Sequence, residues 1–232
     1  MPADPVPTHD PGRLLAAHAA AVAYYRARLL AAGGPVRYLR GRGLGAVVDA
    51  ERPWQVGYAP ASWSALTGYL ARRGFSDDEL VAAGLAVHSR DRTRCFDRFR
   101  DRIMFPIRSA AGPTVAFIGR TWRPGTAAAI PRYLNSPHTR LYRKGEHLFG
   151  RYQQRELLAA GWAPVLVEGP VDVLAVWLSH RDGHDGAGRV AVAPCGTALT
   201  PAQLDLVATL PAARAGGLTV AFDADQAGRR AV

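Results

Sequence analysis

The sequence predicts an α/β protein made of an α+β amino-terminal part followed by a parallel sheet covered by helices. Two observations lead to this prediction. In the first part, helical patterns precede two apolar runs that flank a Gly-Pro turn, whereas in the second part apolar runs of strand length alternate with helical patterns. We accordingly divide the chain into a disordered lead and first helix at residues 1–35, a basic part at 36–155 and a parallel-sheet part at 156–232.

The composition is that of a globular protein with an unusual charge. The 232 residues are 48% hydrophobic and 21% charged, so there is enough apolar material for one large core or two small ones. The formal net charge is +10, and Lys144 is the only lysine, so the positive charge is almost entirely arginine. Genome composition can explain the shortage of lysine but not the excess of positive charge, which predicts a polyanionic partner.

Cysteine usage and hydropathy narrow the class of protein further. Cys95 and Cys195 are far apart and have no CxxC partner, which argues against a disulfide framework and against a zinc ribbon within this chain. No apolar run reaches membrane-spanning length, and the amino terminus lacks the layout of a signal peptide. We therefore expect a cytoplasmic protein without zinc and without a membrane partner.

The amino-terminal region is expected to be helical after a proline-rich lead. Apolar residues recur at helical spacing over residues 12–32, and the glycines and proline at 33–35 are predicted to end that helix. Ser62 is a candidate N-cap, and Ser76 with Glu79 forms a capping box. Three shorter helices are predicted at residues 36–40, 63–73 and 77–83.

A row of arginines is the most distinctive feature of the basic part. In an extended chain, alternate residues share one face, so a row at even positions would form a ridge that follows phosphates, with Phe99 and Ile103 on the opposite face. The alternative is a solvated edge, neutralised in part by Asp91, Asp97 and Asp101. The arginines at even positions are Arg90, Arg92, Arg94, Arg98, Arg100 and Arg102.

A hairpin and an extended segment follow this row. Strand-like runs at residues 103–108 and 114–119 flank a turn at 111–113, which predicts a β-hairpin. In the segment at 131–137, a proline at each end holds the chain extended, and a basic, an aromatic and an amide side chain project from it. This mixture suits simultaneous contact with a phosphate, a base face and a base edge.

Three apolar runs in the last part predict parallel strands. Thr200 at the N-cap, followed by a proline and then Gln203, is a strong helix start, and the turn at residues 195–197 is tight enough for a phosphate to approach closely. Ligands of such sheets bind beyond the carboxyl ends of the strands. The strands are predicted at residues 164–167, 190–193 and 218–222, with helices at 171–180 and 201–210.

Acidic side chains follow the first and third of these strands. Glu168 comes directly after the first strand, Asp172 one helical turn later, and Asp223 and Asp225 end the third strand. Taken singly, Glu168 could be an acid at a helix N-terminus and the aspartate pair an N-cap region. Together they would repel one another unless a cation lies among them, and oxygen-only ligands favour Mg²⁺ or Mn²⁺.

Several of these segments resemble known motifs. Residues 167–173 and 222–228 are similar to the paired signatures of the Toprim domain, a Rossmann-like domain shared by bacterial primases, topoisomerases and some nucleases. The basic part resembles the amino-terminal part of the RNA-polymerase core of bacterial-type (replicative) DNA primases. The matching segments occur in the family's order, at residues 97–107, 117–120, 133–137, 144–145 and 148–150.

The resemblance implies template-directed synthesis of short RNA primers on single-stranded DNA from ribonucleoside triphosphates, with Mg²⁺ or Mn²⁺. Glu168 resembles a catalytic glutamate that acts as general acid or base, and Asp223 and Asp225 resemble a catalytic metal-holding pair supported by Asp172. Arg132 stands where these primases usually carry lysine, which keeps the charge and changes the geometry. The residues that resemble the basic groove for template and nucleotide are Arg98, Arg100, Arg102, Arg120, Arg132, Tyr133, Asn135 and Lys144.

The sequence departs from the family pattern at both ends. It lacks the zinc-ribbon module that precedes this core in the family, and it stops before the later acidic motif, so we expect a fragment or a naturally truncated protein. A replicative helicase would then be contacted through a missing segment. Two other functions remain open: a catalytically incomplete primase-like protein that binds single-stranded nucleic acid, and a Toprim nuclease.

Overall fold

The structure, a computed structural model, describes residues 9–49, 53–123, 130–181, 188–196 and 199–222. The first helix begins where Asp10 accepts a hydrogen bond from Gly12 N at 3.1 Å, and it ends at Leu30. None of the helices within these ranges has the length and apolar character needed to cross a bilayer. The helices of the amino-terminal half are α1 (Pro11–Leu30), α2 (Gly33–Gly41), α3 (Gly45–Asp49), α4 (Ala65–Ala71) and α5 (Asp77–Ala82).

Two details of the helix prediction are wrong. The glycines and Pro35 do not simply end α1; they form the first turn of α2, where the missing N–H of proline leaves no hydrogen bond unmade. The helix predicted at residues 63–73 begins at Ala65, and Ser62 is not its N-cap. By contrast, the capping box of Ser76 and Glu79 at the start of α5 is confirmed.

The first sheet contains the predicted hairpin. Its order is β1-β4-β5-β6, with all neighbours antiparallel, and α1 packs against it so closely that a Cβ on Gly57 would lie 2.5 Å from Tyr25 Cβ. The proline-flanked segment at 131–137 supplies β6 and is extended as predicted. The strands of this half are β1 (Gly57–Ala59), β2 (Ala86–His88), β3 (Cys95–Asp97), β4 (Arg102–Arg108), β5 (Thr114–Thr121) and β6 (Tyr133–Asn135), and β2 pairs with β3 in a separate ribbon.

The prediction of one continuous arginine ridge is wrong. The chain between residues 89 and 102 is not a single strand, because Arg92 and Asp101 have positive φ angles of 57° and 49°, and only β3 within it is extended. The alternation of side chains is therefore interrupted on both sides of β3. The even-numbered arginines point into different surroundings instead of forming one face.

The second sheet has the predicted parallel strands and one further strand. Its order is β10-β8-β9-β7, in which β10, β8 and β9 are parallel and β7 is antiparallel to β9. The new strand, β7, precedes the boundary that we placed at residue 156. The strands are β7 (Leu148–Phe149), β8 (Ala163–Val167), β9 (Arg189–Pro194) and β10 (Thr219–Ala221).

Helices connect these strands. Helix α7 (Pro170–Arg181) joins β8 to β9, and α8 (Pro201–Ala208) begins with the predicted capping box of Thr200 and Gln203. The others are α6 (Arg155–Ala159), α9 (Pro211–Gly216) and a 3₁₀ turn at Lys144–Glu146.

One hydrophobic core joins the two sheets. Ile103 and Phe105 of β4 belong to the same buried cluster as Val165 of β8, Val173 of α7 and Ala191 of β9. Because this core is shared, the edge of the first sheet and the carboxyl ends of the parallel strands are held in a fixed relation. A cleft opens between them.

Candidate active site

The cleft between the two sheets has a volume of about 770 Å³. Its basic wall comes from β5, from β6 with the preceding Arg132, and from Arg98 between β3 and β4, and its acidic edge follows β8 of the second sheet. The predicted site residues that line it are Arg98, Arg120, Arg132, Tyr133, Asn135, Lys144, Glu168 and Asp172. The two halves of the sequence prediction therefore meet in one place.

Arg120 is the most buried cation of the basic wall. It is 5% exposed, its guanidinium lies over the rings of Tyr38 and Tyr133 at 5.3 and 5.6 Å, and its Nε donates to Tyr133 Oη at 3.0 Å. Its Nη1 has no hydrogen-bond partner within the described residues. A guanidinium fixed by stacking with one donor unused is suited to binding an anionic oxygen.

Two residues of β6 cross from the basic wall to the acidic half. Asn135 Nδ2 donates to Cys195 O at 2.7 Å, and Tyr133 Oη lies 3.3 Å from the position that a Cβ on Gly169 would occupy. Burial raises the pKa of Tyr133, and the neighbouring charge and hydrogen bond of Arg120 lower it less. The phenol is therefore a neutral hydrogen-bonding group at the junction.

Arg98 belongs to the same wall. Its Nη2 donates to Asn135 O at 3.1 Å, and burial lowers the pKa of its guanidinium, which nevertheless remains charged at any physiological pH. Arg132, at the end of the wall, is exposed. The arginines of the wall therefore differ: Arg98 is half-buried and hydrogen-bonded, whereas Arg132 is exposed to solvent.

Arg100 and Arg102 are not among the described residues that line this cleft. Arg102 is 5% exposed, and its Nη1 donates to the carbonyls of Pro131 and Gly119 at 3.0 and 3.2 Å, which ties the segment before β6 to the hairpin. Burial lowers its pKa. Arg100 lies over the ring of Trp63 at 4.0 Å. The hydrogen bonds of Arg102 to backbone carbonyls give this arginine a structural role in the fold.

The acidic edge lies where β8 ends. Glu168 follows β8 and is exposed, and Asp172, also exposed, stands in the first turn of α7. Asp172 Oδ2 accepts a hydrogen bond from Gly169 N at 3.1 Å, so it fixes the turn that carries Glu168. The carboxylates are thereby presented to the cleft and not to the core.

The predicted aspartates Asp223 and Asp225 lie outside the described residues. Strand β10 ends at Ala221, which is paired with Val167, and Phe222 lines the cleft, so the described chain leaves the sheet beside Glu168. Within the described residues no group of three or more candidate metal ligands is present. Those that are present, Glu168 and Asp172, offer carboxylate oxygens, a donor set that fits a hard divalent cation.

One cleft residue was missed by the sequence prediction. Arg42 lines the cleft and lies over the ring of Tyr38 at 5.1 Å, a ring that Arg120 also contacts. The signal available in the sequence was the spacing of Tyr38 and Arg42, four residues apart near a helix end. This spacing does not distinguish Arg42, the C-cap of α2, from the arginines within that helix.

Comparison with protein families gives two matches. A model described as DNA primase catalytic core, N-terminal domain, matches residues 24–155. A model described as Toprim-like matches residues 165–232. The first covers the basic wall and the second the acidic edge.

Similar proteins are primases. The DNA primase of Deinococcus radiodurans is 38% identical over 214 residues, which are 92% of this chain and 34% of the relative, so the chain spans about a third of that relative's length. The RNA polymerase domain of Mycobacterium tuberculosis primase DnaG, solved with double-stranded DNA, has a TM-score of 0.81 at 38% identity and covers 96% of this chain and 67% of its own. A DnaG primase catalytic domain bound to single-stranded DNA has a TM-score of 0.72 at 31% identity, with coverages of 95% and 64%.

Proposed function

The chain belongs to the bacterial DNA primase family, and we propose that it forms the template- and nucleotide-binding cleft of a DNA-directed RNA polymerase that makes short RNA primers on single-stranded DNA. The observation that supports this proposal most is that one cleft has both a basic wall and an acidic edge. A nucleotidyl transferase needs both, because it must hold polyanionic substrates and handle the charge and proton of the reacting atoms.

The basic wall is proposed to bind the template and the triphosphate. Arg120 is held by stacking and by Tyr133, so little of its freedom remains to be lost when a phosphate binds. Arg132 is exposed and suits the contact with a template phosphate at the cleft mouth. Relatives of this chain have been solved with double-stranded and single-stranded DNA, which supports a DNA partner. Arg98, Asn135 and Lys144 complete the proposed binding surface.

The acidic edge is proposed to carry the chemistry. The 3′-hydroxyl oxygen of the primer would attack the α-phosphorus, a new P–O bond would form, and the bond to pyrophosphate would break. Glu168, which lines the cleft, would accept the hydroxyl proton, and Asp172 holds the backbone turn on which Glu168 stands. Positioning of the two reacting atoms accounts for much of the rate in such a reaction.

A divalent cation completes the proposal. Toprim and primase families use a divalent metal, and we propose that Mg²⁺ (or Mn²⁺) is held by Glu168, Asp223 and Asp225 with Asp172 in support. When bound, the ion would neutralise charge on the triphosphate and stabilise the pyrophosphate that leaves. The proposed ligands are all carboxylates, and oxygen ligands of this kind agree with a hard cation at this edge.

The test is synthesis by the full-length protein encoded by the gene. Single-stranded DNA, ribonucleotides and Mg²⁺ are expected to yield short RNA, and EDTA is expected to abolish it. Absence of RNA together with salt-sensitive DNA binding that survives Glu168→Ala would instead support a primase-like binding protein. Metal-dependent nicking of DNA without synthesis would support a nuclease.

A further inference from the structure

The side chain of Lys144 packs against Gly196, and the space that it occupies is open only because this residue is a glycine. It stands in the 3₁₀ turn before β7, whereas Gly196 follows β9 in the other half of the cleft. A Cβ on Gly196 would lie 2.6 Å from Lys144 Cε and 3.3 Å from its Nζ. Gly196 is not among the glycines with positive φ, so it is the space above it, and not its backbone conformation, that a larger residue would disturb.

The turn that carries Lys144 is fixed by the start of α8. Thr200 Oγ1 donates to Gly145 O at 2.6 Å, and Gln203 Nε2 donates to His147 O at 2.8 Å and to Lys144 O at 3.2 Å. The same two side chains form the capping box of α8, in which Thr200 Oγ1 accepts from Gln203 N at 3.2 Å. Gln203 is 1% exposed, so the hydrogen bonds that it makes to the turn are shielded from water.

The ammonium of Lys144 is available to a ligand. No salt bridge joins it to a carboxylate of the residues that the structure describes. It lines the same cleft as Cys195, Gly196 and the stacked Arg120. A compact ammonium with three donors suits the terminal oxygens of a triphosphate.

We propose that Gly196, Thr200 and Gln203 are positioning residues that hold Lys144 ready for the phosphates of a nucleoside triphosphate. The nucleotide part of this proposal rests on the function proposed above, whereas the holding of Lys144 does not. A long flexible side chain loses rotamer freedom when it binds, and a lysine whose side chain is already restricted loses less of it. We call Gly196, Thr200 and Gln203 the lysine seat. All three belong to the parallel-sheet half, so the lysine seat also links the basic half to the carboxyl ends of the strands.

The first experiment reports the mobility of Lys144 itself. The 232-residue chain has a single lysine, so this chain labelled with [¹³C]lysine gives one Hε–Cε resonance without any chemical modification. In the wild type, ¹³Cε relaxation is expected to show a restricted side chain. Gly196→Ala should displace and release it, because the three atoms nearest to the added methyl all belong to the Lys144 side chain, which can move without unfolding the protein. Gly216→Ala, which adds the same methyl where no atom lies within 4 Å, should leave the relaxation unchanged.

The second experiment compares two hydroxyl variants. Thr200→Val removes the hydrogen bond to Gly145 O at nearly constant volume, and Thr200→Ser keeps it. Binding of ATP with Mg²⁺ is expected to weaken about three- to tenfold in Thr200→Val and in Gly196→Ala, the factor for immobilising one long side chain, and to recover in Thr200→Ser. In primer synthesis the same variants should raise KM for the nucleotide and leave kcat within about twofold.

The outcomes separate the two proposals. A mobile Lys144 in the wild type, or equal relaxation in the wild type and Gly196→Ala, would overturn the proposal that the lysine seat holds Lys144. Equal ATP affinity of Thr200→Val and Thr200→Ser would overturn its role in nucleotide binding. A wild type that shows a restricted lysine but binds no ATP would refute the proposed function and leave the seat supported by the relaxation data.

Discussion

Asp97 is a buried charged residue that caps the amino-terminal end of helix α4. It is 1% exposed, and its two carboxylate oxygens accept hydrogen bonds from Leu66 N and Thr67 N, both at 2.8 Å. These are free N–H groups in the first turn of α4, and the N-cap residue Ser64 makes no side-chain hydrogen bond to them. In sequence, Asp97 could be taken only as a counter-charge within the arginine row, because its partners lie some thirty residues away.

We predict that Asp97→Asn lowers the free energy of unfolding by about 2 kcal/mol, because one amide group cannot accept both hydrogen bonds and places its NH₂ against an N–H. Urea unfolding followed by circular dichroism measures this change. Asp91→Asn is the matched control: Asp91 is exposed and accepts from Ser89 and Thr93 through one oxygen that asparagine retains, so it should change stability by less than about 0.5 kcal/mol. Equal losses in the two variants would contradict the capping role.

His18 makes the stability dependent on pH. It is fully buried in α1, stacks on Phe117 at 5.9 Å and shares a hydrogen bond of 2.9 Å between Nδ1 and Leu14 O. Burial lowers its pKa from 6.5 to about 4, and the hydrogen bond to Leu14 opposes this only in part. The folded protein therefore holds the neutral imidazole under conditions in which the unfolded chain binds a proton.

Because the folded-state pKa lies below the unfolded one, the contribution of His18 is fully present above pH 6.5 and is lost as the pH falls through 4. We predict a loss of about 3 kcal/mol between these two values. His18→Phe removes the titration, so the wild type should lose about 3 kcal/mol of unfolding free energy relative to the variant as the pH falls from 6.5 to 4. Parallel curves for the wild type and the variant would show that His18 is not responsible.

The cleft residues illustrate what sequence can and cannot supply. Arg120, Tyr133 and Asn135 could be predicted because they occur in ordered motifs on neighbouring strands of one hairpin-based sheet. The burial of Arg102 could not, because it depends on the carbonyl of Pro131, which approaches from the distant segment before β6. A side chain whose partners are backbone atoms of distant segments leaves no pattern around itself in the sequence.

At the scale of elements, strong local patterns were predicted well. The hairpin of β4 and β5, the parallel strands β8, β9 and β10, and the capping boxes that begin α5 and α8 each rest on periodicity or capping chemistry within a few residues. Strand β7 has two residues, too few for any periodicity, and it exists because β9 offers an edge. The supposed ridge failed for the opposite reason, since alternation was present but the backbone turns at Arg92 and Asp101.

The turn of the β4–β5 hairpin depends on Gly112. Its φ is +106°, and a Cβ there would lie 2.5 Å from Tyr152 Oη, an atom at the end of a rigid ring. We predict that Gly112→Ala destabilises the protein by about 2–4 kcal/mol, from backbone strain and the clash together. Gly74→Ala, at a positive φ in open space, should lose only about 1 kcal/mol from strain. Thermal melts of the two variants compare these effects, and an equal loss would show that Tyr152 simply moves aside.

At the scale of the whole molecule, a shared core fixes two oppositely charged surfaces across one cleft. The net charge of +10 suits attraction of a polyanion. The described carboxylates that line the cleft, Glu168 and Asp172, both follow the carboxyl end of β8. The family resemblance implied a basic groove and an acidic edge, but not the core that the two halves share. The precise fit of the halves, through Tyr133, Asn135 and Lys144, emerges only in three dimensions.

Binding of single-stranded DNA should therefore depend steeply on salt. Each phosphate neutralised contributes about 0.7 to the slope of log K against log salt concentration. We predict that Arg132→Ala lowers the slope by about 0.7, because this exposed arginine lines the cleft. Arg214→Ala, an exposed arginine in α9 that does not line it, should leave the slope unchanged. Fluorescence anisotropy over a salt series gives both slopes, and identical losses would show that the attraction is not localised to the cleft.

The most direct test of a polymerase site in this cleft is primer synthesis by the full-length protein with Glu168→Gln. This change keeps the shape of the side chain and removes its ability to accept a proton. We predict that the rate of RNA synthesis falls at least about 100-fold, as expected for loss of a general base. Affinity for single-stranded DNA, measured in parallel, should stay within about twofold. A variant that still makes primers at the wild-type rate would contradict the assignment of the acidic edge as the catalytic centre.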